Sequence, residues 1–322
     1  MKNKWNEWWN RFLQGPIIIN IVIWSQNHSL PGFHDVSIYT TLTFIRNELN
    51  KNDLNTRASA MSYSFFLALF PSLIFLFTLT AYFPKSWDFY SAMENSIVSV
   101  MPDRAQDYIW KDIVSTIRPK AKSGLLSIGF ILALVFASNG MLTMMKGFDK
   151  TYKSSFRKRS WTQKQLIAIL LTFLLGILLI FSVLILILGG QIFKWIFGIL
   201  HLSKLTVIAV KFFQYLIIIL LFYSVIELMY RLAPALKKPF SFFSPGTIFA
   251  TIGSIITSVL FGYFVDHFST YHKVYGAISA LIITLIWIRL NVLILILGFE
   301  LNAGIIINRD IRQLALIQDE ED

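Results

Sequence analysis

The chain has 322 residues, 55% of them hydrophobic and only 15% charged, with a mean hydropathy of +0.61. So little charge cannot clothe a soluble fold of this size, and the absence of cysteine excludes disulfides and thiolate chemistry. A net charge of +11 would suit nucleic acid on a soluble protein. Here the basic residues sit mostly between apolar runs, so the expected partners are anionic membrane lipids and not nucleic acid.

Residues 1–14 place Trp5, Trp8, Trp9, Phe12 and Leu13 on one helical face, with Lys2, Lys4, Glu7, Asn10 and Arg11 opposite. That pattern predicts an amphipathic helix suited to the headgroup region. The apolar run Pro16–Trp24 is nine residues long, too short to cross a bilayer, and no small-residue cleavage site follows it, so no cleavable signal peptide is expected. A second amphipathic helix is expected from about Ser37 to Leu49, with Ile38, Leu42, Ile45 and Leu49 on one side. Both helices read equally as membrane contacts or as surface helices packed on the rest of the protein.

Four stretches contain no Asp, Glu, Lys or Arg: Ala58–Pro84, Ser123–Met145, Gln165–Phe193 and Pro239–Val265, of 27, 23, 29 and 27 residues. About 20 apolar residues of helix cross a hydrocarbon core, so each can span it, and none shows the polar face of a soluble helix. Two further runs, about Lys211 to Arg231 and Tyr275 to Phe299, are interrupted by Glu227 and Arg289 and bring the expected spans to six. The first carries Pro71, which removes a backbone hydrogen bond and predicts a kink. Between the first two spans, residues 85–122 read as two short amphipathic helices divided by Pro102 and Asp103.

The loop 146–164 holds seven basic residues against Asp149 alone. Segments 1–57, 146–164, 231–238 and 300–322 together carry eighteen Lys and Arg, and the opposite loops carry nine. The excess predicts cytoplasmic termini. The expected organisation is therefore an all-α membrane protein, a six-span bundle with interfacial amphipathic helices and both termini cytoplasmic. Residues 1–57 form an N-terminal interfacial segment, 58–305 the membrane domain, and 306–322 a cytoplasmic acidic tail ending in Asp319, Glu320, Glu321 and Asp322.

Charge at membrane depth costs about 2.5–3.5 kcal/mol on insertion scales and marks function or a buried partner. Arg289 and Glu227 fall at matching depths, and a pair between them in a polar cavity is one expectation. The alternatives are a pair of Glu227 with Arg231 one turn on, and Arg289 snorkelling to headgroups. Glu300 and Asn302 read as hydrogen-bonding partners of another span or as interfacial residues, and Asn139 and Gln191 as bridges between helices or the lining of a path. Asp266, His267 and His272 lie on one outer loop, where a metal site is one reading, but they follow no fixed spacing rule and no metal is expected. No cofactor is expected, and no phosphate-binding glycine loop is present. The fifth span carries small residues at every fourth position, Gly246, Ala250, Ser254, Ser258 and Gly262, a stripe for close helix packing or, in the other reading, a narrow polar path.

The most specific stretch runs from Tyr263-Phe264-Val265 through Phe268-Ser269-Thr270-Tyr271, Tyr275-Gly276 and Trp287 to Leu297-Gly298-Phe299-Glu300-Leu301-Asn302. It resembles the signature of the YihY/BrkB family of bacterial inner-membrane proteins. Ala60-Met61-Ser62-Tyr63 through Ala68-Leu69-Phe70-Pro71, and Leu232-Ala233-Pro234 with Lys237-Lys238-Pro239, resemble the same family, over about residues 40–305. The resemblance implies six spans with both ends inside the cell, but no agreed biochemistry, since members carry labels of virulence or serum-resistance factor and of a tRNA-processing ribonuclease BN. A metal-dependent nuclease needs clustered His, Asp and Glu. The five histidines here, His28, His34, His201, His267 and His272, fall on opposite sides of the predicted membrane. The chain is therefore not expected to be an enzyme. Translocation of a lipid or amphipathic solute leads, a non-transporting envelope organiser is the alternative, and a homo-oligomer is left open.

Overall fold

A computed structural model describes residues 16–51, 54–80, 123–150, 152–199, 205–267 and 277–321. The amphipathic segments predicted at residues 1–14 and 85–122, and His201 and His272, lie outside the described residues, as do the side chains of Gln191, Asp266 and His267. The described residues form eight helices: α1 Pro16–Asn27, α2 Ile38–Lys51, α3 Leu54–Thr80, α4 Ser123–Gly147, α5 Trp161–Ile199, α6 Leu205–Leu232, α7 Pro245–His267 and α8 Ala277–Glu321. Six of them, α3 to α8, are long and apolar enough to span a membrane.

Local sequence explains where the helices begin. Ser160 and Gln163 cap α5 reciprocally: the Ser160 amide donates to Gln163 Oε1 at 3.1 Å and the Gln163 amide to Ser160 Oγ at 3.3 Å. At α7, Ser244 receives the Thr247 amide at 3.4 Å, and Pro245 occupies the first helical position, where its missing N–H is not needed. α3 runs through Pro71 without interruption.

The spans pack as a ring in chain order. Each lies against its predecessor and successor, and α8 closes the ring against α3. One end of the ring gathers the starts of α3, α5 and α7, the ends of α4 and α6, and the middle of α8; it holds the 146–164 loop and is called the basic end below. The core sits there. Phe148 stacks on Phe299 at 4.3 Å between ring centroids, and Tyr230 and Phe240 pack edge-on to Phe299 at 6.3 Å. Met61, Met144, Met145, Ile226 and Ile296 fill the remaining space.

Away from the basic end the packing slackens. Between Leu171 and Ser182 in α5, and between Ser254 and Val265 in α7, every residue is half-buried or exposed. Among the described residues α3 and α4 stay close there, with Gly129 of α4 against the Phe75 backbone of α3, and α7 and α8 keep a contact between Ser258 and Trp287.

Two expectations change. α8 does not stop near residue 305: it continues to Glu321 as a single 45-residue helix, about 67 Å at 1.5 Å per residue. The acidic end thus continues the same helix, whose residues 311–315 are exposed beyond the packed part of the bundle. In α2, Leu42 departs from the predicted apolar line, in which Ile38 and Ile45 are half-buried and the side chain of Leu49 lies outside the described residues. Thr41 is fully buried and Phe44 packs on Gly304 of α8, while Leu42 is 57% exposed. The absent Cβ at Gly304 admits the Phe44 ring, so shape rather than hydrophobicity chose the face.

Candidate functional site

Glu300 lies at the centre of the basic end and is completely buried. Arg57, on the first turn of α3, donates from Nη1 to Glu300 Oε1 at 2.9 Å. Lys150, just past α4, places Nζ 2.7 Å from Oε2 and 2.9 Å from Oε1. One carboxylate thus ties the first, second and sixth spans together. Arg57 Nη2 also donates to the Gly147 carbonyl, capping the C-terminus of α4, where the helix dipole favours a cation.

Arg159 does the same for α6. It donates from Nη1 to the carbonyls of Leu232 at 3.0 Å and Ala233 at 2.8 Å, and from Nη2 to Pro234 at 3.0 Å. Burial, and then the charge of Arg157, hold its guanidinium below the ordinary arginine value, with Asp149 acting the other way. The loop is stitched further by a two-residue antiparallel bridge between Phe156 and Leu236. There the Arg157 amide donates to Ala235 at 2.8 Å, and the Lys237 amide to Ser155 at 2.9 Å. Ser155 Oγ then donates to Asp310 of α8 at 2.6 Å.

Asn302 joins α8 to α7. Its Oδ1 accepts the Gly246 amide at 2.7 Å, and its Nδ2 donates to Ser244 Oγ at 2.8 Å. A Cβ at Gly246 would lie 2.0 Å from the Gly298 carbonyl oxygen, and one at Gly298 would lie 2.6 Å from the Gly246 carbonyl oxygen and from Tyr230 Oη. Two glycines meeting across the crossing let the backbones touch. Ala250 and Ser254 continue the buried stripe. Further along, Ser258 Oγ accepts from Trp287 Nε1 at 3.1 Å, and nothing stands near Gly262. The stripe is a packing seam for most of its length and opens at its end.

The predicted pair of Arg289 and Glu227 does not form. Arg289 is exposed and donates to Asn55 Oδ1 at 3.4 Å. Glu227 is buried and accepts from Thr247 Oγ1 at 3.0 Å. The two residues were matched by depth alone, and they face different neighbours around the ring. Glu227 does not pair with Arg231 either, since Arg231 points to the exposed side of α6. Asn139 is exposed on α4. Arg57, Lys150 and Arg159 were not singled out in the sequence. Lys150 and Arg159 were hidden among the cations of the loop, and Arg57 differs from them only in directly preceding the first charge-free stretch. Among the described residues no group of three or more His, Cys, Asp or Glu is placed to hold a metal ion.

A ring of six apolar helices locked at one end by buried charge defines a multi-pass integral membrane protein. The sequence matches the family described as Virulence factor BrkB over residues 45–320, and the chain belongs to that family. It is 33% identical over 248 residues to a protein of Bacillus subtilis described as ribonuclease-like, YfkH, covering 77% of this chain and 88% of that one. It is 22% identical over 289 residues to a UPF0761 membrane protein of Aggregatibacter aphrophilus, covering 88% and 98% of the two chains. A UPF0761 membrane protein of Mannheimia succiniciproducens is 26% identical over 264 residues. No solved structure matches the chain.

Proposed function

We propose that this protein translocates a lipid or an amphipathic solute across the bacterial inner membrane, with Arg289 as a contact for an anionic headgroup. The observation that carries the reading is the exposed guanidinium within a span, whose one described hydrogen bond is the 3.4 Å contact to Asn55. The contact to Asn55 brings this guanidinium to the first turn of α3 at the basic end; a charge kept at the edge of a span is ordinarily paired or functional, and an anionic headgroup would supply the pair. The neighbouring polar groups support this. Trp287 Nε1, Ser258 and Asn291 continue a polar surface along the seam between α7 and α8. The slack half of the ring gives an amphipathic molecule somewhere to enter, and the packed basic end would stop a leak.

The test uses the full chain reconstituted in vesicles that carry a fluorescent anionic lipid in both leaflets, with an impermeant bleaching agent outside. Translocation carries the bleaching past the outer leaflet, and Arg289→Leu slows it. Folded wild-type protein that bleaches no more than empty vesicles sinks the proposal. One observation favours the other reading, a non-transporting envelope organiser: α1 exposes Ile19, Ile21, Ile23 and Trp24, an apolar surface able to hold a partner. Nuclease chemistry is left out of the proposal, because the five histidines are scattered along the chain with no metal-ligand spacing. Purified protein should therefore leave RNA intact.

A further inference from the structure

Glu227 belongs to none of the contacts that lock the basic end. Its side chain is 3% exposed, its Oε2 accepts one bond from Thr247, and its Oε1 is buried with no hydrogen-bond partner. No cation pairs with it among the described residues. A buried carboxylate so poorly supplied with donors is costly, and a neutral carboxyl group meets the same surroundings at far less expense.

The partner of Glu227 is the first link of a chain. Thr247 Oγ1 lies 2.6 Å from Ser244 Oγ, which accepts Asn302 Nδ2 at 2.8 Å. Ser244 and Asn302 line a cavity of about 10 Å³ walled by Gly32, His34, Phe240 and Ile305. That is about the smallest space that holds one water molecule. His34 stands in the left-handed backbone region, at a φ of 50°, in the turn that covers this cavity. The carboxyl, two hydroxyls and the cavity thus form one line from the interior of the fourth span to the basic end.

Little else near Glu227 carries charge. On α6 its titratable neighbours within one turn are Tyr223, Tyr230 and Arg231, and the Tyr230 hydroxyl is committed to the Leu295 carbonyl. α7 presents Thr247 and has no acidic or basic residue before Asp266, and α5 has none between Lys164 and Lys194. From the loop, Arg159 is committed to the carbonyls that follow α6.

We propose that Glu227 is a proton-binding site reached from the basic end through the Ser244–Thr247 hydroxyl relay, with a water in the cavity under His34 as its entry. In loading, a cavity water gives a proton to Ser244 Oγ, the Ser244 hydrogen passes to Thr247 Oγ1, and the Thr247 hydrogen passes to Glu227 Oε2. Each hydroxyl gains one proton and gives one, the carboxylate becomes the neutral acid, and a hydronium ion from the bulk returns to the cavity water the proton that it gave. Unloading is the reverse. This inference rests on the buried chain and not on the translocation reading.

The test is infrared difference spectroscopy of the full chain in lipid vesicles, titrated with pH and exchanged into deuterated water. A carboxylic-acid carbonyl band that Glu227→Gln removes identifies the proton on this residue. Thr247→Val should keep that band and slow its deuterium exchange roughly tenfold, the factor given by about 1.4 kcal/mol of added barrier, and Thr247→Ser should restore the rate. Two results overturn the proposal. One is a difference spectrum showing Glu227 only as a carboxylate across the titration. The other is an exchange rate unchanged in both Thr247→Val and Ser244→Ala. Neither readout depends on transport of any lipid.

Discussion

Replacing Gly246 with alanine tests the packing argument most directly. The added Cβ would sit 2.0 Å from the Gly298 carbonyl oxygen and 2.6 Å from Asn302 Oδ1, where ordinary contact begins near 3.4 Å. The obstacle is backbone, so α7 and α8 must part by about 1.4 Å at their closest point. Overpacking of this kind costs about 1–3 kcal/mol. Parting the helices also stretches the bonds from Gly246 to Asn302 and from Asn302 to Ser244, and leaving such buried groups unmet adds about 1–3 kcal/mol. The expected loss is therefore on the order of 2–6 kcal/mol, a large part of a typical folding free energy. Gly262→Ala is the matched control, since nothing stands within 4 Å of its Cβ, and it should cost no stability and add at most about 1 kcal/mol of helix propensity. Denaturant unfolding in mixed micelles, followed by tryptophan fluorescence, compares the two. Equal midpoints would refute the claim that the glycine contact sets the crossing of α7 and α8.

Further outcomes follow from the buried charges. Glu300→Gln should destabilise by about 3–5 kcal/mol, because it leaves Arg57 and Lys150 as buried like charges without their counterion; adding Lys150→Met should recover part of the loss in the same unfolding assay. Arg159→Lys should not substitute for arginine, since one ammonium cannot serve three carbonyls at the end of α6 as the planar guanidinium does; limited proteolysis should then cut the 232–238 link faster. Arg289→Leu should not destabilise the fold, since it replaces a charge on the outward side of a span with an apolar side chain, and yet lose any anionic lipid that wild type retains in native mass spectrometry.

The six spans were legible because the bilayer imposes a length and composition that sequence displays openly, and the charge-free runs map onto α3, α4, α5 and α7. The Gly298 to Asn302 motif, from which the sequence suggests hydrogen bonds to another span, forms a junction of α8 with α3, the 146–164 loop and α7. Pairings were not legible. Depth along a helix can be counted, but azimuth around the ring cannot, so Arg289 and Glu227 could be matched in height while facing different neighbours. Lys150 was invisible for another reason: a cation in a basic loop looks solvated until a buried carboxylate claims it. The place of Leu42 in α2 was misread because Gly304, on a helix that follows some 250 residues later, offered the cleft that Phe44 fills.

The ion pair of Arg57 with Glu300 has a consequence in time. The two residues are 243 positions apart, and at roughly 5–20 residues per second of synthesis the carboxylate emerges some 10–50 s after the arginine. During that interval the ring is an open arc whose first span carries a cation with no counterion, while the capped carbonyl of Gly147 and the ammonium of Lys150 wait beside it. Insertion of the last span both closes the arc and neutralises that end. A chain released before Glu300 is made would keep two positive charges without the carboxylate that joins them.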